Sequence, residues 1–271
     1  MLPVTLSFEV HQPHRLRKDG VNEDASNLYD RYFDDELNEH FFKDVAENCY
    51  FPATERLLRI AKNRAGRDRD QQLKINLSVS SSWIEQAEEY HPELIDMFNS
   101  FPDETIDFIG QAHYHSLAGL FYDKREFRKQ LNRHREVIED TFETTPQVMT
   151  NTELIYHNEI GKIASEEGYR GIFTEGAPRI LGWRSPNHAY TQPDFVTKDG
   201  NRILLRNRKL TDDIGYRFSR EDWDEYPLTA EKYAAWLSAC QGDMLNLFMD
   251  YETFGEHHWE GTGILWFLES L

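Results

Sequence analysis

The sequence predicts an α/β fold in which a single domain, residues 1–271, forms a (β/α)7 barrel of parallel strands with surrounding helices. Strand and helix signals alternate along the whole chain, which is typical of a parallel sheet with helical crossovers. About seven such units can be counted, one short of the eightfold barrel. No linker, repeat or low-complexity segment divides the chain. A doubly wound open sheet shows the same alternation and is the alternative.

Seven short runs rich in apolar, β-branched and aromatic residues are the predicted strands. They occupy residues 4–10, 73–79, 105–109, 147–152, 171–174, 203–206 and 244–249. The third is stopped by Gly110. Each is short enough to be a strand and continuous enough to be buried on both faces, as parallel strands are.

Helices are predicted between these strands, where apolar residues recur at three- and four-residue spacing. They occupy residues 35–48, 52–63, 82–98, 124–142, 157–167, 229–240 and 262–271. Pro52 suits a helix start, and Pro92 should break or kink the third helix. Gly168 is a suitable stop for the fifth helix, and Thr229 a suitable N-cap for the sixth.

Composition limits the classes of function. The formal net charge of −18 repels phosphate backbones, so nucleic acid is not an expected partner. A membrane is not an expected partner either, because no apolar run is long enough to span one. Cys49 and Cys240 are far apart and form no CxxC motif, which predicts free buried thiols in a reducing compartment. The N-terminus lacks the basic region and cleavage site of a signal peptide. We therefore expect a soluble cytoplasmic protein.

Most of the unusual polar and aromatic residues follow the predicted strands. In a parallel barrel these strand ends meet at one face, which is where such barrels build their sites. Three connections at this face, residues 110–123, 175–202 and 207–227, are too long for simple turns, and long loops often carry function. The candidate site residues are His11, Gln12, Trp83, His113, Glu153, Glu175, Arg206, Asp250 and Tyr251.

Two of these carboxylates, Glu153 and Asp250, end the fourth and seventh predicted strands. Two carboxylates facing one pocket are the minimum equipment for cleaving a glycosidic bond. Aromatic faces such as Trp83 could stack on sugar rings, although the same side chain could belong to the core. Either acid could instead cap the helix that follows it.

The histidines allow a second interpretation. His113 and His115 are two residues apart, and on an extended segment both would point the same way. Together with His11 they could hold a metal ion. No aspartate accompanies them in a ligand-like pattern, so no metal is predicted.

Four blocks resemble family 57 of the glycoside hydrolases, and more narrowly its α-amylase-like members. They are FEVHQP at residues 8–13, GQAHYH at 110–115, NTELIY at 151–156 and MDYETFG at 249–255. The blocks run in order from near the start to near the end of the chain. The resemblance implies a seven-stranded barrel, retaining action on α-glucans or maltooligosaccharides, and no cofactor.

By position, Glu153 matches the family's nucleophile and Asp250 its general acid/base, while His11 and His113 match sugar-binding positions. The family normally has a fifth block on a helical region after the barrel. Because this chain reaches only Leu271, we expect that region to be absent.

The predicted function is therefore double displacement: Glu153 attacks the anomeric carbon and Asp250 protonates the leaving oxygen. Arg206 and the histidines would hold sugar hydroxyls, and Tyr251 would supply an apolar setting for Asp250. Three alternatives stay open. They are a glucanotransferase or branching enzyme with the same carboxylates, a non-catalytic glucan-binding barrel, and a metal-dependent polysaccharide deacetylase.

Overall fold

The computed structural model describes residues 2–68, 71–192 and 201–271. Within them, seven parallel strands form a closed barrel in sequential order. The strands are β1 (Val4–Val10), β2 (Ile75–Val79), β3 (Ile106–Gly110), β4 (Val148–Thr150), β5 (Gly171–Glu175), β6 (Arg202–Arg206) and β7 (Leu245–Asp250). The first and last strands pair in register from Val4↔Leu245 to Glu9↔Asp250. This pairing closes the barrel, confirms the predicted fold class and excludes the open sheet.

Helices surround the barrel. They are α1 (Leu28–Tyr32), α2 (Asp35–Val45), α3 (Phe51–Arg64), α4 (Ser81–Tyr90), α5 (Glu93–Asn99), α6 (Arg125–Phe142), α7 (Asn158–Glu166), α8 (Pro178–Leu181), α9 (Arg208–Gly215), α10 (Ala230–Ala239) and α11 (Ile264–Ser270). None of the helices within the described ranges is both long and apolar enough to cross a bilayer.

The predicted helix boundaries are accurate where a cap or a breaker sets them. Thr229 caps α10 by accepting a hydrogen bond from the Lys232 amide, and the predicted 82–98 helix divides at Pro92 into α4 and α5. The two helices predicted at 35–48 and 52–63 are instead joined by a wide helical turn, Ala46–Tyr50, which continues α2 into α3.

Alternation along the strands sends successive side chains to opposite sides of the barrel wall. On β1, Phe8 and Val10 point outward and join the large core formed with the surrounding helices. Ser7 and Glu9 therefore point inward. A small apolar layer inside the barrel is built from Ile109, Phe173 and Phe248 on three other strands.

Polar pairs fill the rest of the interior beside β1. Thr5 donates to the Asn246 side chain at 2.8 Å, and Asn76 donates to Ser7 at 2.9 Å. Above them lies Glu9, the last inward residue of β1 and the register partner of Asp250. The inward face of β1 thus leads from buried hydrogen-bonded pairs up to the carboxyl ends of the strands.

The long connections contain more regular structure than expected. The segment 207–227 includes α9, whose Asn207 cap accepts a hydrogen bond from the Leu210 amide, and 175–202 includes α8. Residues 193–200 of that second segment lie outside the described residues. Both cysteines are free; Cys49 is buried, whereas Cys240 is only partly buried.

Candidate active site

A pocket of about 240 Å³ opens at the carboxyl ends of the strands. It is lined by residues of five strands (β1, β4, β5, β6 and β7), by the last residue of α9, and by the segments that follow β3, β4, β7 and α9. They are Glu9, His115, Thr150, Asn151, Glu153, Leu154, Glu175, Arg206, Gly215, Tyr216, Phe248, Met249, Asp250, Thr253 and His257. The two predicted catalytic carboxylates, Glu153 and Asp250, therefore face one cavity, together with a third carboxylate, Glu175.

Glu153 is held at the pocket mouth by an unusual backbone. It lies in a short turn after β4 with φ 58° and ψ 24°, and Leu154 follows with φ 54°. Two successive non-glycine residues in the left-handed region are costly and concentrate at functional sites. Thr152 anchors the turn by donating to the Ser116 carbonyl at 2.8 Å. The Glu153 side chain is 73% exposed, so the pocket is open to water on this side.

Asp250 is the last residue of β7 and is exposed to the pocket. The chain then turns sharply, and Gly255 ends the turn with φ 133°. A Cβ on Gly255 would stand 1.9 Å from the Asn48 carbonyl oxygen, so only glycine allows this close approach. The turn therefore packs against the wide helical turn that joins α2 to α3, and Asp250, just before it, lines the cavity.

His115 lies close to two acids, Glu153 and Glu9. Its Nε2 is 3.8 Å from Glu153 Oε1, and its Nδ1 is 3.3 Å from Glu9 Oε1 and 2.8 Å from Gln111 Oε1. Burial lowers the pKa of His115, against the opposing influence of the Glu153 and Asp250 charges. The imidazole is thus neutral and bridges the buried interior to the pocket.

His11 lies behind His115. The two rings stack with centroids 4.2 Å apart, and His11 Nδ1 lies 2.8 Å from the Ser80 hydroxyl. Burial, together with the neighbouring His115, lowers the pKa of His11 to about 3. His11 supports the pocket wall through this stack, although it does not line the cavity itself.

Arg206 and Glu175 form the opposite wall. Arg206 donates to Glu175 at 2.9 Å, to Asp212 of α9 at 2.6 Å and to the Phe248 carbonyl at 2.9 Å. Its guanidinium is therefore largely committed to protein partners. The buried Glu175 Oε1 has no hydrogen-bond partner within the described part of the chain.

Four candidates besides His11 do not line the pocket. Trp83 is fully buried in the core, and Tyr251 is buried with its hydroxyl 2.9 Å from Thr54. Gln12 donates to the Tyr50 hydroxyl at 3.1 Å, and His113 is 1% exposed. Because these side chains are covered by protein, we propose no sugar contact for them.

The expectation that His113 and His115 point the same way is wrong. The segment after β3 turns at these residues, and His115 adopts φ 50°, so the two rings diverge. His115 enters the pocket and His113 enters the protein. No three metal-binding side chains among the described residues lie close enough together to hold a metal ion.

Several pocket residues are absent from the candidate list, among them His115, Glu9, Tyr216 and His257. Glu9 could have been found, because a carboxylate between Phe8 and Val10 in an apolar strand must point into the barrel. Tyr216 follows α9, a helix that the sequence analysis missed. Another buried acid, Glu252, accepts a hydrogen bond from Tyr50 at 2.5 Å, and burial raises its pKa to about 8.

Comparison with known protein families shows which family the chain belongs to. The model of glycosyl hydrolase family 57 matches residues 5–271, essentially the whole chain. The chain belongs to this family. A relative from Methanocaldococcus jannaschii, named "Putative alpha-amylase", is 45% identical over 269 residues. The match covers 99% of this chain and 55% of the relative, so the chain spans about half the length of the curated relative it matches.

Solved structures show the same fold. The 4-alpha-glucanotransferase from Thermococcus litoralis superposes with a TM-score of 0.71 at 16% identity, over 98% of this chain and 37% of that one. The GH57-type branching enzyme from Pyrococcus horikoshii superposes with a TM-score of 0.65 at 14% identity, over 97% of this chain and 66% of that one. At these identities the likeness concerns the barrel fold alone.

Proposed function

We propose that this family 57 chain is a retaining α-amylase-type hydrolase that acts on α-1,4-glucan by double displacement. The observation that carries the proposal is the shared pocket of Glu153 and Asp250 at the open face of the barrel. The name of the Methanocaldococcus relative supports the choice of substrate.

In the first step, an oxygen of the Glu153 carboxylate bonds to the anomeric carbon. The bond from that carbon to the leaving oxygen breaks, and Asp250 supplies the proton that the leaving oxygen takes up. In the second step, water loses a proton to Asp250 and attacks the anomeric carbon, which releases Glu153. The exposure of Glu153 at the pocket mouth gives water a direct path to this intermediate.

The pocket also suits a sugar ring. Its volume of about 240 Å³ lies below the ~300–1,000 Å³ of pockets for drug-sized ligands, which favours one ring over several. Tyr216 is 68% exposed and lines the pocket, so its face is free to stack on a sugar. The acidic surface poses no barrier to a neutral glucan.

The test is hydrolysis of maltohexaose and soluble starch, followed through new reducing ends. Glu153→Gln should lower kcat by about 10³-fold or more, because the amide cannot act as the nucleophile. Glu159→Gln is the matched control: it changes an exposed acid on α7 that lies outside the pocket, and it should leave kcat unchanged. Near-normal kcat in Glu153→Gln would refute the assignment.

Product analysis separates hydrolysis from transfer. Short maltooligosaccharides with an α anomeric product, seen by proton NMR before mutarotation, are expected. Products longer than the substrate would instead identify a glucanotransferase with the same carboxylates. Glucan binding without any new reducing ends would support the non-catalytic alternative and contradict the proposal.

A further inference from the structure

A buried hydrogen-bonded chain links the interior of the barrel to the candidate nucleophile. It runs from Glu9 on β1 through Gln111, which follows β3, to His115, and then faces Glu153. Glu9 is 9% exposed and Gln111 is fully buried. The reaction proposed above uses neither of them, which raises the question of what a buried acid and amide do beneath the pocket.

In the structure the Gln111 amide turns its nitrogen toward Glu9 and Ser78. Its Nε2 donates to Glu9 Oε1 at 2.8 Å and to the Ser78 hydroxyl at 2.9 Å. Its Oε1 therefore points the other way and lies 2.8 Å from His115 Nδ1. A carbonyl oxygen can only accept a hydrogen bond, so with the amide in this orientation His115 Nδ1 carries the hydrogen.

This assignment determines what His115 presents to the pocket. Since burial lowers the pKa of His115, its ring is neutral and carries one N–H only. With the hydrogen on Nδ1, Nε2 bears a lone pair and points toward Glu153. The separation of 3.8 Å between Nε2 and Glu153 Oε1 is longer than a hydrogen bond, in keeping with two acceptors that face each other.

The alternative tautomer would behave differently. An N–H on Nε2 would donate to the Glu153 carboxylate, stabilise its ionised ground state and restrain the oxygen that must attack. A lone pair there leaves Glu153 free and can accept a hydrogen bond from a sugar hydroxyl instead. The choice between these tautomers therefore affects the first chemical step.

We propose that Glu9 and Gln111 are positioning residues that lock His115 in its Nδ1–H tautomer, so that Nε2 accepts a sugar hydroxyl and does not restrain the Glu153 carboxylate. The catalytic part of this inference rests on the function proposed above, whereas the tautomer does not. Burial raises the pKa of Glu9 to about 8, so Glu9 is protonated at neutral pH and adds no negative charge beside its register partner Asp250.

The direct test is side-chain ¹⁵N NMR of histidine-labelled protein at pH 7. The His115 resonance is assigned by its loss in His115→Gln. The wild-type protein should show the Nδ1–H pattern. An Nε2–H pattern, or an imidazolium with both nitrogens protonated, would overturn the proposal even if the protein proves to have no activity on glucan.

The catalytic consequence is tested with the double variant Glu9→Leu/Gln111→Leu, which removes both acceptors near Nδ1 and leaves an apolar pair. His115 should revert to the Nε2–H form that a neutral imidazole prefers in water. The value of kcat should fall about tenfold, the rate equivalent of one hydrogen bond, while KM changes less than threefold.

The matched control is Thr5→Val/Asn246→Leu, which removes another hydrogen-bonded pair inside the same barrel, involving the same strand β1. It should leave both the His115 tautomer and kcat unchanged. Equal losses of kcat in both double variants would show a merely structural role. An unchanged kcat with a switched tautomer would confirm the lock but contradict its effect on the reaction. If wild-type protein shows no glucan cleavage, the proposed function fails, and the NMR result still decides the tautomer.

Discussion

The buried acid Glu9 should make the protein less stable as pH rises, and Glu9→Gln should remove this loss. Its pKa is raised from 4.5 to about 8 in the folded protein, chiefly by burial. The folded state therefore holds a proton that the unfolded state releases between these values. The contribution of Glu9 is fully present below about pH 4.5 and is lost as pH rises toward 8.

The size of the effect follows from the shift. At 1.36 kcal/mol per pKa unit, Glu9 should lower the free energy of unfolding by about 4 kcal/mol between pH 5 and pH 8.5. A glutamine has nearly the same shape, can still accept the hydrogen bond from Gln111, and does not titrate. The stability of Glu9→Gln relative to wild type should therefore rise by about this amount across the range.

The assay is urea unfolding at both pH values, followed by tryptophan fluorescence, with free energies from linear extrapolation. Subtracting the free energies of unfolding of the two proteins cancels the contribution of the titrating groups that both contain. Glu221→Gln, at an exposed position, is the control and should differ from wild type by less than about 0.5 kcal/mol at either pH. The reasoning would be refuted if the difference in free energy of unfolding between Glu9→Gln and wild type did not change with pH. It would also be refuted if wild type were relatively more stable at pH 8.5 than at pH 5.

Substitutions at three further positions distinguish core residues from pocket residues. Trp83→Ala should cost about 3–5 kcal/mol in urea unfolding because the ring is fully buried; a raised KM at normal stability would contradict this. Tyr216→Ala should raise KM for maltohexaose roughly fivefold, the equivalent of about 1 kcal/mol of ring contact, whereas Tyr216→Phe should not; equal KM values in both variants would remove the stacking role. Arg206→Met should lower the free energy of unfolding by about 3–5 kcal/mol, because Glu175 and Asp212 lose their shared counter-charge. A loss below 1 kcal/mol would show that water replaces the guanidinium.

The fold was predictable because its signals are local. Buried parallel strands require continuous apolar runs, and the predicted run at 244–249 is β7 to within one residue at each end. The acid that ends such a run must lie at the open face, which is why Asp250 could be placed. Thr229 and Pro92 similarly fix helix ends by backbone chemistry that the sequence displays directly.

The pocket lining was less predictable because it depends on backbone turns. The left-handed conformation of His115 is imposed by surrounding structure, and nothing in the residue type announces it. Helix α9 is short, and its apolar positions, Leu210 and Ile214, are too few to produce a clear periodicity. Without α9, Tyr216 could not be placed. Trp83 was predicted as a site residue but lies in the core. An aromatic residue next to a strand end can pack into the core as easily as it can line a cleft.

The central claim is that Glu153 bonds to the sugar while Asp250 moves the proton. The most direct measurement is covalent trapping with a 5-fluoro maltosyl α-fluoride, whose slow turnover lets the glycosyl–enzyme accumulate, followed by peptide mapping by mass spectrometry. The account predicts one maltosyl adduct, located on Glu153, and none in Glu153→Gln. An adduct on Glu175 or any other side chain, or glucan hydrolysis without any adduct, would contradict it.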